Sequence, residues 1–169
     1  PVGIVSGPKL SKGLPRFISA SDMARILNVH HSSSEPEDMR NQAILEFLYA
    51  SGARISEASG LLASDVDFSS LQVRVMGQGS KERIVPLHDL AVSSMRAYAE
   101  HARPQLLGSG SCPRFFVSSR GRAMSTDALR KMFKRTLASA GVDGTYTPHD
   151  MRHTFATDLL DGGPDLRSV

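Results

Sequence analysis

The sequence predicts an α+β domain, mostly α-helical with a small three-stranded antiparallel sheet. Several segments carry apolar residues at helical spacing between recognisable start and stop residues, while one stretch, residues 71–86, switches to strict alternation. The length of 169 residues, 40% hydrophobic and 22% charged, suits one globular domain with a real core.

Residues 1–19 are rich in Pro, Gly, Lys and Ser and read as a linker or arm leading into a domain over 20–169. Ser21-Asp22 then starts a short helix through Leu27, and a polar segment from His30 to Asp38 reads as a loop. From about Pro36 to Ala50, Met39, Ala43, Ile44, Phe47 and Leu48 mark an amphipathic helix that Gly52 stops. Ser56 is positioned to cap a second short helix toward Leu61 and Leu62. LQVRVM and ERIVPL, separated by Gly77-Gln78-Gly79-Ser80, form a hairpin signal, and FFVS at 115–118 is the candidate third strand. Leu87, Leu90, Ala91, Met95, Tyr98 and Ala102 define a long helix. Ser125 opens another, with Leu129, Met132, Phe133 and Leu137 facing inward and Gly141 ending it.

The last helix poses the chemical question. Thr147 is a good N-cap, Pro148 fits the first position, and Asp150 lies three residues after the cap. Helical geometry puts Met151, Phe155, Ala156, Leu159 and Leu160 on an apolar arc and Asp150, Thr154, Asp158 and Asp161 on a wet face. Arg152 points at the middle of the arc. A guanidinium cannot shed its charge by losing a proton, so it needs a negative partner. Two remain open: a phosphate held with His149 at the positive end of the helix, or an internal carboxylate such as Glu57.

The net charge of +3 is modest but unevenly spread, with an acidic middle and basic ends. Arg120, Arg122, Arg130, Lys131, Lys134 and Arg135 face only Asp127, enough to neutralise several backbone phosphates unless they are merely a solvated face. The absence of Trp disfavours a single-strand stacking platform, so a nucleic-acid partner would be double-stranded. One cysteine, Cys112, excludes an internal disulfide and a multi-cysteine metal cage, and the chain reads as cytoplasmic. No stretch has the apolar length of a membrane span, so no membrane partner is expected. His30-His31 lack a third ligand at usable spacing and read as a solvated loop, while His88 and His101 border the long helix.

Four segments in order, YASGARISEASGL, GQGSKERIVPL, TPHDMRHTFATDLL and DGGPDLRSV, together closely resemble the catalytic domain of the tyrosine recombinases, most closely the Xer-type site-specific recombinases. The similarity runs from about Lys9 to the last residue. The resemblance implies that Arg54 is the first catalytic arginine, Glu57 the acidic residue supporting it, Lys81 the catalytic lysine, and His149 and Arg152 the family's HxxR pair. It implies the tyrosine recombinase catalytic-domain fold, duplex DNA and other recombinase protomers as partners, a tetramer on DNA for the intact protein, and no cofactor or metal. Arg120, Arg122, Lys134, Arg135 and His153 are the candidate DNA-backbone contacts.

In this family a tyrosine attacks a phosphodiester to give a 3′-phosphotyrosyl link and a free 5′-hydroxyl, and a new strand then reverses the step. Two arginines suit the growing charge on the phosphate, while a lysine suits protonation of the leaving oxygen. The chain departs from the family pattern by ending at DLRSV, before the expected nucleophile. Tyr49, Tyr98 and Tyr146 all read as packing or capping residues. An excised or truncated catalytic core is therefore expected, or alternatively a non-catalytic DNA-binding accessory protein that keeps the phosphate pocket.

Overall fold

The computed structural model describes residues 16–29, 35–77 and 81–160. Within them the order is α1 (Ala20–Leu27), α2 (Pro36–Ser51), α3 (Ile55–Gly60), β1 (Val66–Asp67), β2 (Gln72–Met76), β3 (Glu82–Pro86), α4 (Asp89–Ala97), α5 (Arg103–Leu107), α6 (Thr126–Ala140) and α7 (Pro148–Leu160). The architecture is the expected α+β, mostly helical with a three-stranded antiparallel sheet in the order β1-β2-β3. Among the described residues no helix is long and apolar enough to cross a membrane.

Helix α2 is the axis of the molecule. Every residue from Ala43 to Ser51 is buried, and α1, α3, α4, α5 and α7 all pack on it. The amphipathic stripe read from the sequence is thus too narrow, because a helix enclosed on several sides has no wet face to leave polar. It ends as expected at Gly52, which adopts a left-handed conformation at φ 62°. A side chain there would also collide with α7, since an added Cβ would run into the Phe155 ring.

Helix α7 is rotated relative to its sequence reading. Asp150 and Thr154, expected on the wet face, are 3% and 2% exposed, and Asp158 accepts a 2.8 Å hydrogen bond from the Tyr49 hydroxyl. Ala156, expected in the apolar arc, is exposed. The cause is the extended segment before α1. The Arg16 amide donates to Asp150 Oδ1 at 2.7 Å and the Ile18 amide to Thr154 Oγ1 at 2.8 Å. Short polar side chains are buried here because they satisfy backbone groups that water cannot reach. Residues 16–19, at the end of the expected linker, are therefore built into the domain, with Ile18 in its core. Asp161 and the side chains of Leu159 and Leu160 lie outside the description.

Three local readings are also corrected. Helix α1 begins at Ala20, with the Ser19 hydroxyl accepting from the Asp22 amide. Helix α3 begins at Ile55 with Arg54 as its cap residue, because the Glu57 carboxylate reaches back to the Arg54 amide, so Ser56 is not the cap. In the long helix, Leu87 precedes the His88 cap and Leu90 is 43% exposed, and a π-turn at Tyr98–Ala102 interrupts the run.

The hairpin pairs Val73 with Val85 and Arg74 with Ile84, while its tip at 78–80 and the His30-His31 pair fall outside the described residues. The third strand is not 115–118 but Val66–Asp67, on the other edge of β2. Residues 115–118 make only an isolated bridge between Val117 and Ala123. Their backbone is committed elsewhere: the Phe115 carbonyl accepts from the Tyr98 hydroxyl at 2.6 Å and from Arg103 Nε at 3.0 Å, and the Val117 amide donates to Tyr98 Oη at 3.0 Å.

Since Gly52 combines a positive φ with contact against the Phe155 ring, Gly52→Ala should destabilise the domain by about 2–4 kcal/mol in urea unfolding. A loss below about 1 kcal/mol would mean that α7 does not depend on this approach.

Candidate phosphate-binding site

The site grows from the end of α2. Gly52 turns the chain, and Arg54 follows at the start of α3, its amide donating to Glu57 Oε1 at 2.8 Å. Glu57 is buried, with its side chain 3% exposed. Arg83 comes from β3, on the strand face shared with Val85, and grips the same carboxylate with both terminal nitrogens, at 2.9 Å and 3.2 Å. The Arg54 guanidinium stands further off, at 3.8 Å. Hairpin backbone closes over the group, since an added Cβ on Gly77 would lie 3.2 Å from Glu57 Oε2. Burial pushes the Glu57 carboxyl up, but the hydrogen bonds from Arg83 and the Arg54 amide, with the charges of both arginines, hold it below the usual carboxylate range.

Arg152 arrives from α7, whose start is a reciprocal capping box: the Thr147 amide donates to Asp150 Oδ2 at 2.9 Å and the Asp150 amide to Thr147 Oγ1 at 3.1 Å. The carboxylate between His149 and Arg152 is thereby fixed to the helix start and to Arg16. Arg152 Nη1 donates to the Gly52 carbonyl oxygen. Burial lowers the Arg152 pKa, and the neighbouring charges of Arg54 and Arg83 add to this against the pull of Glu57. The guanidinium remains a cation. Among the described residues no carboxylate pairs directly with Arg152, since Glu57 gives its close contacts to Arg83.

Arg54, His149 and Arg152 line a cleft of about 720 Å³ with Arg130 and Lys134 of α6, beside an apolar wall that includes Phe133 and Tyr146. Four cations border this space, and none of the described residues lining it is a carboxylate. An adjoining opening of about 380 Å³ shares His149 and Arg152 and adds Arg83 and His153. Such a surplus of fork-shaped donors in a concavity is what a phosphate needs.

The other candidates are dispersed. Lys81 is exposed beside the hairpin turn, its carbonyl accepting from the Gly77 amide, and it lines neither opening. Arg120, Arg122 and Arg135 are exposed and lie outside both. His153 stacks on Phe17 at a centroid distance of 4.5 Å. The three tyrosines are engaged internally as expected: Tyr49 with Asp158, Tyr146 with Asp22, and Tyr98 with the 115–117 backbone, its phenol pushed up to about 12 by burial. The sequence reading missed Arg83. The signal was present, because alternation in ERIVPL places this arginine on the inward face of β3, where a cation needs an anion.

A carboxylate depressed on folding adds stability that is complete above the ordinary glutamate range and is lost as pH falls through its folded-state value. Chemical denaturation below roughly pH 5 should therefore show a steeper acid loss in the wild type than in Glu57→Gln. Identical pH profiles would show that Glu57 carries no such linkage.

A model of the phage integrase family matches residues 16–169. The tyrosine recombinase XerD of Halalkalibacterium halodurans is 39% identical over 162 residues, covering 96% of this chain and 54% of that protein. The chain spans about half the length of the curated relatives it matches. Among solved structures, the XerA recombinase superposes with a TM-score of 0.73 at 29% identity, over 89% of this chain and 53% of that one. The XerH site-specific recombinase, in a post-cleavage complex with a palindromic difH substrate, gives 0.71 at 22% identity over 88% and 42%.

Proposed function

The chain belongs to the phage integrase family, and from that membership we propose that it carries the phosphate-binding part of a site-specific tyrosine recombinase acting on duplex DNA. The observation that carries the proposal is the shared cleft of Arg54, His149 and Arg152, bordered by Arg130 and Lys134 and by no described carboxylate. The XerH relative in its complex with difH supports a duplex as the occupant.

In this reading Arg54 and Arg152 take the two non-bridging oxygens of the scissile phosphate. The Arg152 guanidinium is already held by the Gly52 carbonyl, and the α3 cap fixes the backbone from which Arg54 projects. The two arginines therefore stabilise the charge that builds up as a fifth oxygen approaches phosphorus. His149, exposed at the start of α7, hydrogen-bonds the phosphate or assists proton transfer. Lys81, exposed beside the hairpin turn, is the candidate donor to the leaving 5′ oxygen. Glu57 orients Arg54. Strand exchange replaces one phosphoester with another, through a 3′-phosphotyrosyl intermediate formed by a tyrosine other than the three held internally here. Arg120, Arg122, Lys134, Arg135 and His153 contact the DNA backbone, in a cytoplasmic protein that works as an assembly of protomers.

Fluorescence anisotropy with a short duplex should show weak, strongly salt-dependent binding. Arg54→Ala and Arg152→Ala should each weaken it roughly tenfold and reduce the salt slope by about one. A suicide duplex should yield no covalent protein–DNA adduct with this polypeptide. Unchanged binding by both variants would overturn the cleft assignment, and an adduct would show that one of the held tyrosines can act as nucleophile.

A further inference from the structure

Three guanidiniums, those of Arg54, Arg83 and Arg152, act electrostatically on one another around a single buried carboxylate, Glu57. Their claims on it are unequal. Arg83 makes the bidentate contact, Arg54 stands 3.8 Å away, and Arg152 is held by a backbone carbonyl. The arginine that wins the carboxylate lies outside the main cleft, while the two that lose it line that cleft.

We propose that Arg83 is a positioning residue that sequesters Glu57, so that the carboxylate does not neutralise Arg54 and Arg152 and both stay available to a phosphate. The inference rests on the reading of these two arginines as phosphate ligands. The physical basis is competition. A planar fork that satisfies both carboxylate oxygens at once outcompetes a single-point approach, and it fixes the carboxylate facing the hairpin. Without Arg83, the Glu57 oxygens would be buried with an unused hydrogen-bonding capacity and two cations close by, and the side chain would turn toward them. Glu57 would then compete with the phosphate for the donors that should hold it. Gly77 belongs to the same arrangement, because its bare Cα lets the hairpin approach the carboxylate closely enough for β3 to deliver Arg83.

The test is a double-mutant cycle in duplex binding, measured by anisotropy at one fixed salt concentration, with each variant's fold checked by circular dichroism. Arg83→Gln should weaken binding roughly five- to tenfold, and adding Glu57→Gln to it should restore binding to within about threefold of wild type, because the competing charge is gone while the amide oxygen still caps Arg54. A direct phosphate contact by Arg83 predicts no rescue. A merely structural role predicts additive losses. Either result overturns the proposal, as does wild-type binding by Arg83→Gln. Should Arg83→Gln fail to fold, the same comparison is made between Arg83→Lys and Arg83→Lys with Glu57→Gln, where rescue is again required. Arg54→Ala and Arg152→Ala in the same assay separate the two readings. If they bind as wild type, the phosphate site itself is wrong; if they weaken binding but the cycle shows no rescue, only the role of Arg83 is wrong.

Discussion

The hydrogen bond from Arg152 to the carbonyl oxygen of Gly52 is the contact on which the rest of the site depends. It joins the end of the central helix α2 to the start of α7 across 100 residues of sequence, and so brings Arg54 and Arg152 to one cleft. A carbonyl orients a guanidinium without cancelling its charge. The remaining N–H groups of Arg152 keep their appetite for an anion, in a setting where partial burial strengthens whatever they bind.

The surrounding structure protects that geometry. Gly52 leaves room for the Phe155 ring directly over its Cα. On the far side of α7, the amides of Arg16 and Ile18 are satisfied by Asp150 and Thr154, locking the rotation of the helix. These hydrogen bonds are buried or partly buried, and breaking one would strand a backbone donor at a cost of about 1–3 kcal/mol. The site is thus supported from the extended segment before α1, from the end of α2 and from the hairpin strand β3.

Much of this was legible in the sequence, for identifiable reasons. The caps Thr147 and Ser125, the stops Gly52 and Gly141, and the alternation around the hairpin are local signals, and each describes its element correctly. The gathering of Arg54, His149 and Arg152 was legible only through motif order, because no local rule links residues so far apart. What the sequence hid was tertiary. Asp150 and Thr154 look like solvent-facing positions until the distant extended segment before α1 needs their oxygens. Residues 115–118 look like a strand until Tyr98 and Arg103 claim the Phe115 carbonyl and Tyr98 takes the Val117 amide. The role of Arg83 depends on which of three cations reaches Glu57, and that is a matter of distances.

If Arg54 and Arg152 grip one oxyanion together, both must sense its arrival. Nitrogen-15 NMR of the arginine side-chain Nε–Hε resonances, assigned through the two alanine variants and followed while a short duplex is titrated in, reports on both groups at once. The two resonances should shift along a single binding curve with one Kd. If only one of them responds, or each follows its own curve, the two arginines do not share a phosphate.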